Sequence, residues 1–221
     1  MTSAAALDIL FEDRDLLVVN KPSGLLTEGG GDREPDLEQR ASTHCRRPVH
    51  ACHRLDRLTS GVVLLRKTAR LNTALAQLFE GHRLRKTYWA LVDGAWDARI
   101  QKIETQIAPA GPGRCANVTT GGKTALTTVR VLGRDAGRPA RTWLSLLLKT
   151  GRTHQARLHC LHGGCPVLGD PLYGSCPADA PVFGLHAREL RFPHPATGEA
   201  LTLTAEPPAS WAPLLESLRS G

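Results

Sequence analysis

The 221-residue chain is 41% hydrophobic and 22% charged with a formal net charge of +7, a balance that fits a globular fold with a real core and excludes disordered and collagen-like classes. No apolar run reaches membrane-spanning length. The first ten residues lack a basic n-region and soon meet charge, so no signal peptide and no membrane is expected, and a cytoplasmic location is.

In chain order, Asp8–Asn20 reads as two short strands around the charged turn Glu12-Asp13-Arg14-Asp15, and Lys21-Pro22-Ser23-Gly24 ends the second. Glu28–Pro35, with three successive glycines, reads as a loop, and Asp36–Arg46 as a helix capped by Asp36. Gly61–Leu65 is a buried strand after the Thr59-Ser60-Gly61 turn. Thr68–Phe79 is the best amphipathic helix, with Leu71, Leu75, Leu78 and Phe79 at helical spacing, Thr68 as its cap and Gly81 at its end. Thr87–Val92 alternates as a strand. Strands are expected at 100–107, 115–119, 124–132 and 141–149, with loops at Ala108–Gly113 and Gly133–Pro139. A helix from Thr153 to His162, capped by Thr153, ends at Gly163-Gly164. Strands near 185–192 and 200–204 precede a last helix around Ala209–Arg219. Strands dominate without regular β-α alternation, which predicts an α+β fold on a mainly antiparallel mixed sheet with flanking helices. No stretch reads as a linker, so residues 1–221 are expected to form a single domain.

The basic character is local. Between Arg40 and Ala90 there are eleven Lys or Arg and two acids, Asp56 and Glu80, a net +9, so the remainder sums to −2. Arg supplies 22 of the 28 cations, and its planar fork suits phosphates and base stacking. Such a face fits an anionic partner, with nucleic acid first, or a solvated surface. The six cysteines, at 45, 52, 115, 160, 165 and 176, suit a reduced compartment. Two clusters invite a metal reading: His44-Cys45 with His50, Cys52 and His53, and Cys160 with His162 and Cys165. Neither repeats a paired C-x-x-C unit, so incidental thiols are preferred to structural zinc.

Three segments carry chemistry. His53-Arg54-Leu55-Asp56-Arg57-Leu58-Thr59-Ser60-Gly61 sets a carboxylate between two arginines before a sharp turn, where it can be a nucleophile, a general base or a salt-bridge partner. In Gly151-Arg152-Thr153-His154-Gln155-Ala156-Arg157-Leu158-His159, Leu158 and Leu161 share a packing face and leave Arg157 to point into a cleft or to solvent. Arg85-Lys86-Thr87-Tyr88 puts one of only two tyrosines beside basic residues, either as a stacking platform for a base or as part of a strand core. No P-loop, dinucleotide fingerprint or metalloprotease motif is present, so neither a nucleotide cofactor nor a metal is expected.

Together and in this order, NKPSG at 20–24, HRLDRLTSG at 53–61, RKTYWALVDG at 85–94, GRTHQARLH at 151–159, GCPVLGDPLYG at 164–174 and LHARELRFPHPATGE at 185–199 resemble the RluA-type family of RNA pseudouridine synthases. The resemblance spans almost the whole chain. It implies the pseudouridine synthase fold with a central catalytic cleft, and isomerisation of selected uridines in structured rRNA or tRNA without cofactor or metal. It makes Asp56 the catalytic aspartate, Tyr88 the aromatic that stacks on the target base, and Arg157 the residue that pairs with Asp56. Arg54 matches the arginine that enters the RNA stack. Arg57, Arg85, Lys86, Arg152 and His154 complete the expected RNA-binding set. Small departures are Arg66, where the family carries a small residue before Lys, and Ala156 and Cys160, where it carries larger aliphatics. Only about 15 residues precede the NKPSG strand, so no S4-type RNA-binding domain is expected. Recognition should then rest on the catalytic domain, which favours a local stem-loop over an extended footprint, and a monomer is the simplest expectation. The competing readings are a non-catalytic RNA-binding protein on the same fold and a sugar or nucleoside hydrolase, which would need a second carboxylate.

Overall fold

A computed structural model describes residues 6–30, 34–135, 140–174 and 182–219. In chain order its elements are β1 (Ile9–Glu12), β2 (Leu16–Lys21), α1 (Leu37–Cys45), β3 (His50–Ala51), β4 (Ser60–Arg66), α2 (Asn72–Glu80), β5 (Arg85–Asp93) and β6 (Lys102–Pro109). They continue with β7 (Cys115–Val118), β8 (Lys123–Asp135), β9 (Arg141–Leu148), α3 (Gln155–His162), β10 (Leu185–Pro193), β11 (Ala200–Thr204) and α4 (Ala212–Arg219). The fold is α+β, and the strand registers resolved are antiparallel. The chain divides into two compact units, residues 1–85 with 187–207 and residues 86–186 with 208–221.

In the first unit β2 lies between β1 and β4, and β4 neighbours β10, which carries β11. The run Leu16-Leu17-Val18-Val19 is wholly buried, which is why it reads as a continuous apolar strand rather than an alternating one. Its alternate residues Leu16 and Val18 join Val62 and Leu64 of β4 on one face. Leu71, Leu75 and Leu78 close over that face with Leu190 and Phe192. The four- and three-residue steps put those leucines on one helix stripe. Full burial of each such side chain stabilises by about 1.5–3 kcal/mol.

The second unit is an antiparallel sheet in the order β5-β9-β8-β6-β7. Leu91 and Trp143 of the sheet pack with Trp211, Leu215 and Leu218 of the C-terminal segment. Elsewhere in the unit Leu158 of α3 packs with Ile107 and Ala125.

Several boundaries differ from the sequence reading. Asp36 caps α1 as expected, in a full capping box with Gln39. Thr68 does not cap α2: its hydroxyl donates to the buried Asp15 carboxylate at 2.8 Å, and a 3-10 turn at Ala69–Leu71 leads into the helix. Nor does Thr153 cap α3, whose N-cap is His154 in a left-handed conformation (φ 58). The last helix starts three residues late, after a 3-10 turn at Ala209–Trp211. Pro213 has no N–H to bond Ala209 four residues back, and proline is tolerated only in the first turn. Leu158 is buried, but Leu161 is 41% exposed and does not share its packing. Residues 31–33, 136–139 and Cys176, within segments read as loops or thiols, lie outside the described residues.

Candidate functional site

In the first unit the residues around Asp56 are gripped by the loop that follows β2. Lys21 has no exposed surface, and its ammonium donates to the carbonyls of Pro22 (3.0 Å), Leu25 (2.7 Å) and Arg57 (3.1 Å). Gly24 N–H donates to the same Arg57 carbonyl at 2.8 Å, and Ser23 Oγ to the Leu58 carbonyl at 2.7 Å. The Thr27 hydroxyl donates to the Leu55 carbonyl (3.1 Å) and accepts the Leu55 N–H (3.2 Å). The backbone on both sides of Asp56 is thereby fixed, while its side chain stays half-buried. Burial presses the Lys21 pKa down to about 8, and the nearby Asp56 carboxylate pulls the other way. Lys21 therefore acts as an internal cation that ties three carbonyls and faces the field of Asp56.

The turn closes with Thr59 N–H donating to the Asp56 carbonyl at 3.0 Å, and β4 begins at once. Gly61 is required there. Its φ is +113, and a Cβ would lie 2.2 Å from the Ala187 carbonyl oxygen of β10. No side chain fits such a close backbone approach. Arg54 is exposed and pairs with Glu28 at 3.0 Å. Arg57 turns onto the loop that follows β2, donating from Nε to the Gly24 carbonyl (2.9 Å) and reaching Glu34 at 3.5 Å. Arg85 is exposed at the start of β5.

The second unit carries the remaining residues singled out in the sequence. Tyr88 lies on β5 opposite Leu146 and is 8% exposed. Lys86 precedes it, half-buried, and burial lowers its pKa to about 8. Its Nζ lies beside the Gly151 turn, 3.6 Å from where a Cβ on that glycine would be, an ordinary contact distance. Arg152 donates from Nε to the Thr124 carbonyl at 3.0 Å.

Gln155 anchors the start of α3. Its Oε1 accepts from Thr150 Oγ1 (2.7 Å) and Arg152 N–H (3.0 Å), and its Nε2 donates to the Leu126 carbonyl (3.1 Å). One turn later His159 is fully buried, with Nδ1 2.8 Å from Thr127 Oγ1 and Nε2 3.1 Å from Thr105 Oγ1. Burial, with a smaller push from His162, lowers its pKa to about 4, so it sits in the sheet as a neutral ring. Between these anchors Arg157 is 4% exposed. Its Nε and Nη2 donate to the two oxygens of Asp170 at 2.8 and 2.7 Å.

The model of the family described as RNA pseudouridylate synthase matches residues 15–162. The chain belongs to the RNA pseudouridine synthase family. It is 36% identical to an uncharacterized RNA pseudouridine synthase of Synechocystis sp., over 96% of this chain and 69% of that protein. It is 35% identical to ribosomal large subunit pseudouridine synthase D of Neisseria meningitidis serogroup A, over 97% of this chain and 62% of that one. Among solved structures it resembles human RNA pseudouridylate synthase domain containing 1 with a TM-score of 0.77 and 26% identity, covering 100% of this chain and 98% of that one.

Asp56, Tyr88 and Arg157 stand out in the motifs, whereas the holding roles of Lys21, Ser23 and Thr27 beside Asp56, and of Gln155, His159 and Asp170 around Arg157, emerge only from the folded chain. A lysine just past the apolar run Leu16–Val19 is a legible signal, since a charge at the end of a fully buried strand needs partners. The first metal-like cluster of the sequence does not converge as read. His44 and Cys45 gather with Glu12, their ligand atoms within 4.8 Å of one another. His53 Nε2 instead accepts the Leu64 N–H at 3.2 Å, and the Cys52 thiol is pushed up to about 12 by burial. No described helix is long and apolar enough to cross a membrane.

Proposed function

We propose that this protein isomerises selected uridines of structured RNA to pseudouridine, with residues 1–221 serving as one catalytic domain. In this reading the N-glycosidic bond breaks, the uracil turns while held, and its C5 joins C1′ of the ribose as the C5 hydrogen leaves. Asp56 acts at the ribose, Tyr88 stacks on the base, and Arg157 is the cationic partner of Asp56. Arg54, Arg57, Arg85, Lys86, Arg152 and His154 serve the RNA. The observation that carries the reading is the grip on the Asp56 loop. A buried lysine, a serine, a threonine and backbone groups all fix the chain on either side of one half-buried carboxylate. Such fixation suits a group that must meet a reacting carbon in one geometry.

A base must leave its stack to react, at a cost of a few kcal/mol, and a stacked ring returns about 1–3 kcal/mol. The net +9 of residues 40–90 supplies the phosphate attraction, so binding weakens with salt. The relatives named for the ribosomal large subunit favour a stem-loop of large-subunit rRNA over tRNA as the substrate. The protein is expected to act as a monomer in the cytoplasm.

The deciding experiment is tritium release from C5-labelled rRNA and tRNA transcripts by wild type and Asp56→Asn. Release by the wild type and none by a variant that still binds the RNA is the expected result. Full activity in the variant would overturn the assignment of Asp56. RNA binding without release by the wild type would make the protein a binding module on the same fold.

A further inference from the structure

We propose that Asp170 and Tyr173 are positioning residues that lock the Arg157 guanidinium in one orientation before any RNA arrives. Both lie beyond residues 15–162, the span matched by the family model. The inference rests on the proposed function in one respect only, namely that Arg157 takes part in the reaction.

The clamp has three sides, all within the second unit. Asp170 meets the Nε–Nη2 edge of the fork with both oxygens, at 2.8 and 2.7 Å, and its own side chain has no exposed surface. The carboxylate is itself fixed by backbone: Oδ1 accepts the N–H groups of Leu172 (2.9 Å) and Tyr173 (3.2 Å), and Gly174 N–H closes the turn on the Asp170 carbonyl (3.0 Å). Burial raises the carboxyl's pKa, yet the pair with Arg157 and these N–H groups outweigh it and hold Asp170 ionised. The second side is the Tyr173 ring, whose centroid lies 4.9 Å from the guanidinium carbon, and the third is Phe183 at 5.5 Å.

The Tyr173 ring is pinned at its far end. Its hydroxyl donates to the Cys115 carbonyl and accepts the Cys115 N–H, both at 3.0 Å, and lies 2.7 Å from His154 Nδ1. His154 is the left-handed residue at the start of α3. One hydroxyl thus joins the first residue of β7, the entry to α3 and the ring under Arg157.

Stability alone is a poor reason for this arrangement. A buried ion pair gains little over apolar side chains of the same volume, because desolvation consumes its Coulomb energy. What the bidentate contact does supply is direction. Two parallel bonds fix both the plane and the rotation of a guanidinium, and they leave its Nη1 side as the part of the fork that Asp170 does not engage. Asp170 also offsets much of the Arg157 charge within the unit. The result is a cation that is held oriented and is not free to swing onto a nearby phosphate.

The test uses the full chain and two independent readouts. The first is the exchange rate of the Arg157 Nε–H in 15N-labelled protein, assigned with Arg157→Lys. It is expected to be slow in the wild type, to become fast in Asp170→Asn, whose amide keeps an oxygen for the turn but loses the charge, and to be partly restored in Asp170→Glu. The second is single-site pseudouridine formation, with kcat falling about 10–100-fold in Asp170→Asn while KM for RNA stays within about twofold. Tyr173→Phe keeps the ring and removes the pin, and is expected to give a smaller loss in kcat with the same unchanged KM. It serves as the second variant where Asp170→Asn fails to fold. Slow exchange persisting in Asp170→Asn would overturn the clamp, and fast exchange with unchanged kcat would overturn the positioning role. A wild type that orders Arg157 but forms no pseudouridine on any RNA refutes the proposed function, and the positioning role with it, while the exchange rate still reports the clamp.

Discussion

Replacing Lys21 with methionine separates the charge of this residue from its bulk. Lys21 has a pKa near 8 in the fold against 10.5 as a free side chain. A group whose folded pKa is lowered in this direction binds fewer protons folded than unfolded over that window. Stability therefore rises with pH from about 8 to about 10.5. Integrated from pH 7 to pH 10, the shift is worth about 2.5 kcal/mol. Lys21→Met removes this dependence and also strands the carbonyls of Pro22, Leu25 and Arg57. At pH 7 the variant escapes a burial penalty of about 3 kcal/mol and loses charge-assisted bonds worth about 1.5–3 kcal/mol each. It is therefore the less stable protein, and the gap widens as the pH rises. Urea unfolding of both proteins at several pH values measures the difference directly, since other groups titrate alike in each. Parallel stability curves would refute the picture of a desolvated lysine. The loosened Arg57 carbonyl also predicts a lower kcat in Lys21→Met, because the backbone next to Asp56 loses its internal cation.

Three further outcomes follow from the fold. His159, with a pKa near 4 against 6.5 unfolded, stays neutral in the fold, so its contribution lowers wild-type stability by about 2.5 kcal/mol as the pH drops from 6.5 to 4. His159→Gln should flatten that slope in urea titrations, and an unchanged slope would assign it to other groups. Gly61→Ala must place a Cβ 2.2 Å from the Ala187 carbonyl oxygen at a φ of +113, and should cost about 3 kcal/mol or more; a loss under about 1 kcal/mol would show that β4 and β10 can part. Asp36→Ala removes the capping box and the bond from Gly30 N–H, and should cost about 1–2 kcal/mol by urea midpoint.

What the sequence conveyed well is what depends on neighbours a few residues apart. The capping box of α1 needs only Asp36 and Gln39, and the stripe of Leu71, Leu75 and Leu78 needs only helical spacing. The structure departs from the expected caps where a buried side chain takes up nearby donors, once from far along the chain and once from within the same turn. The place of Thr68 before an apolar helix predicts a cap, but Asp15, buried 53 residues earlier, takes its hydroxyl together with the Nε and Nη2 donors of Arg70. Thr153 lost its role because Gln155 folds back onto Thr150 and the Arg152 N–H, which sets the helix entry at His154 instead. Neither competitor has a sequence period.

The same division runs through the proposed site. Residues whose side chains would meet RNA or the reacting atoms stand in motifs with their neighbours, and Asp56, Tyr88 and Arg157 could be picked out for that reason. The groups that hold them are defined by burial, and burial is a property of the folded chain. Lys21 and Asp170 are each charged and fully buried, a state that is unfavourable unless every lone pair or hydrogen is satisfied. Lys21 meets that condition with three backbone carbonyls, and Asp170 with a guanidinium and two backbone N–H groups. In each case part of that bonding reaches the segment that carries a residue of the proposed site, Lys21 through the Arg57 carbonyl and Asp170 through Arg157 itself. These two buried charges therefore help to hold those segments, and Lys21→Met and Asp170→Asn test that hold from the two units separately.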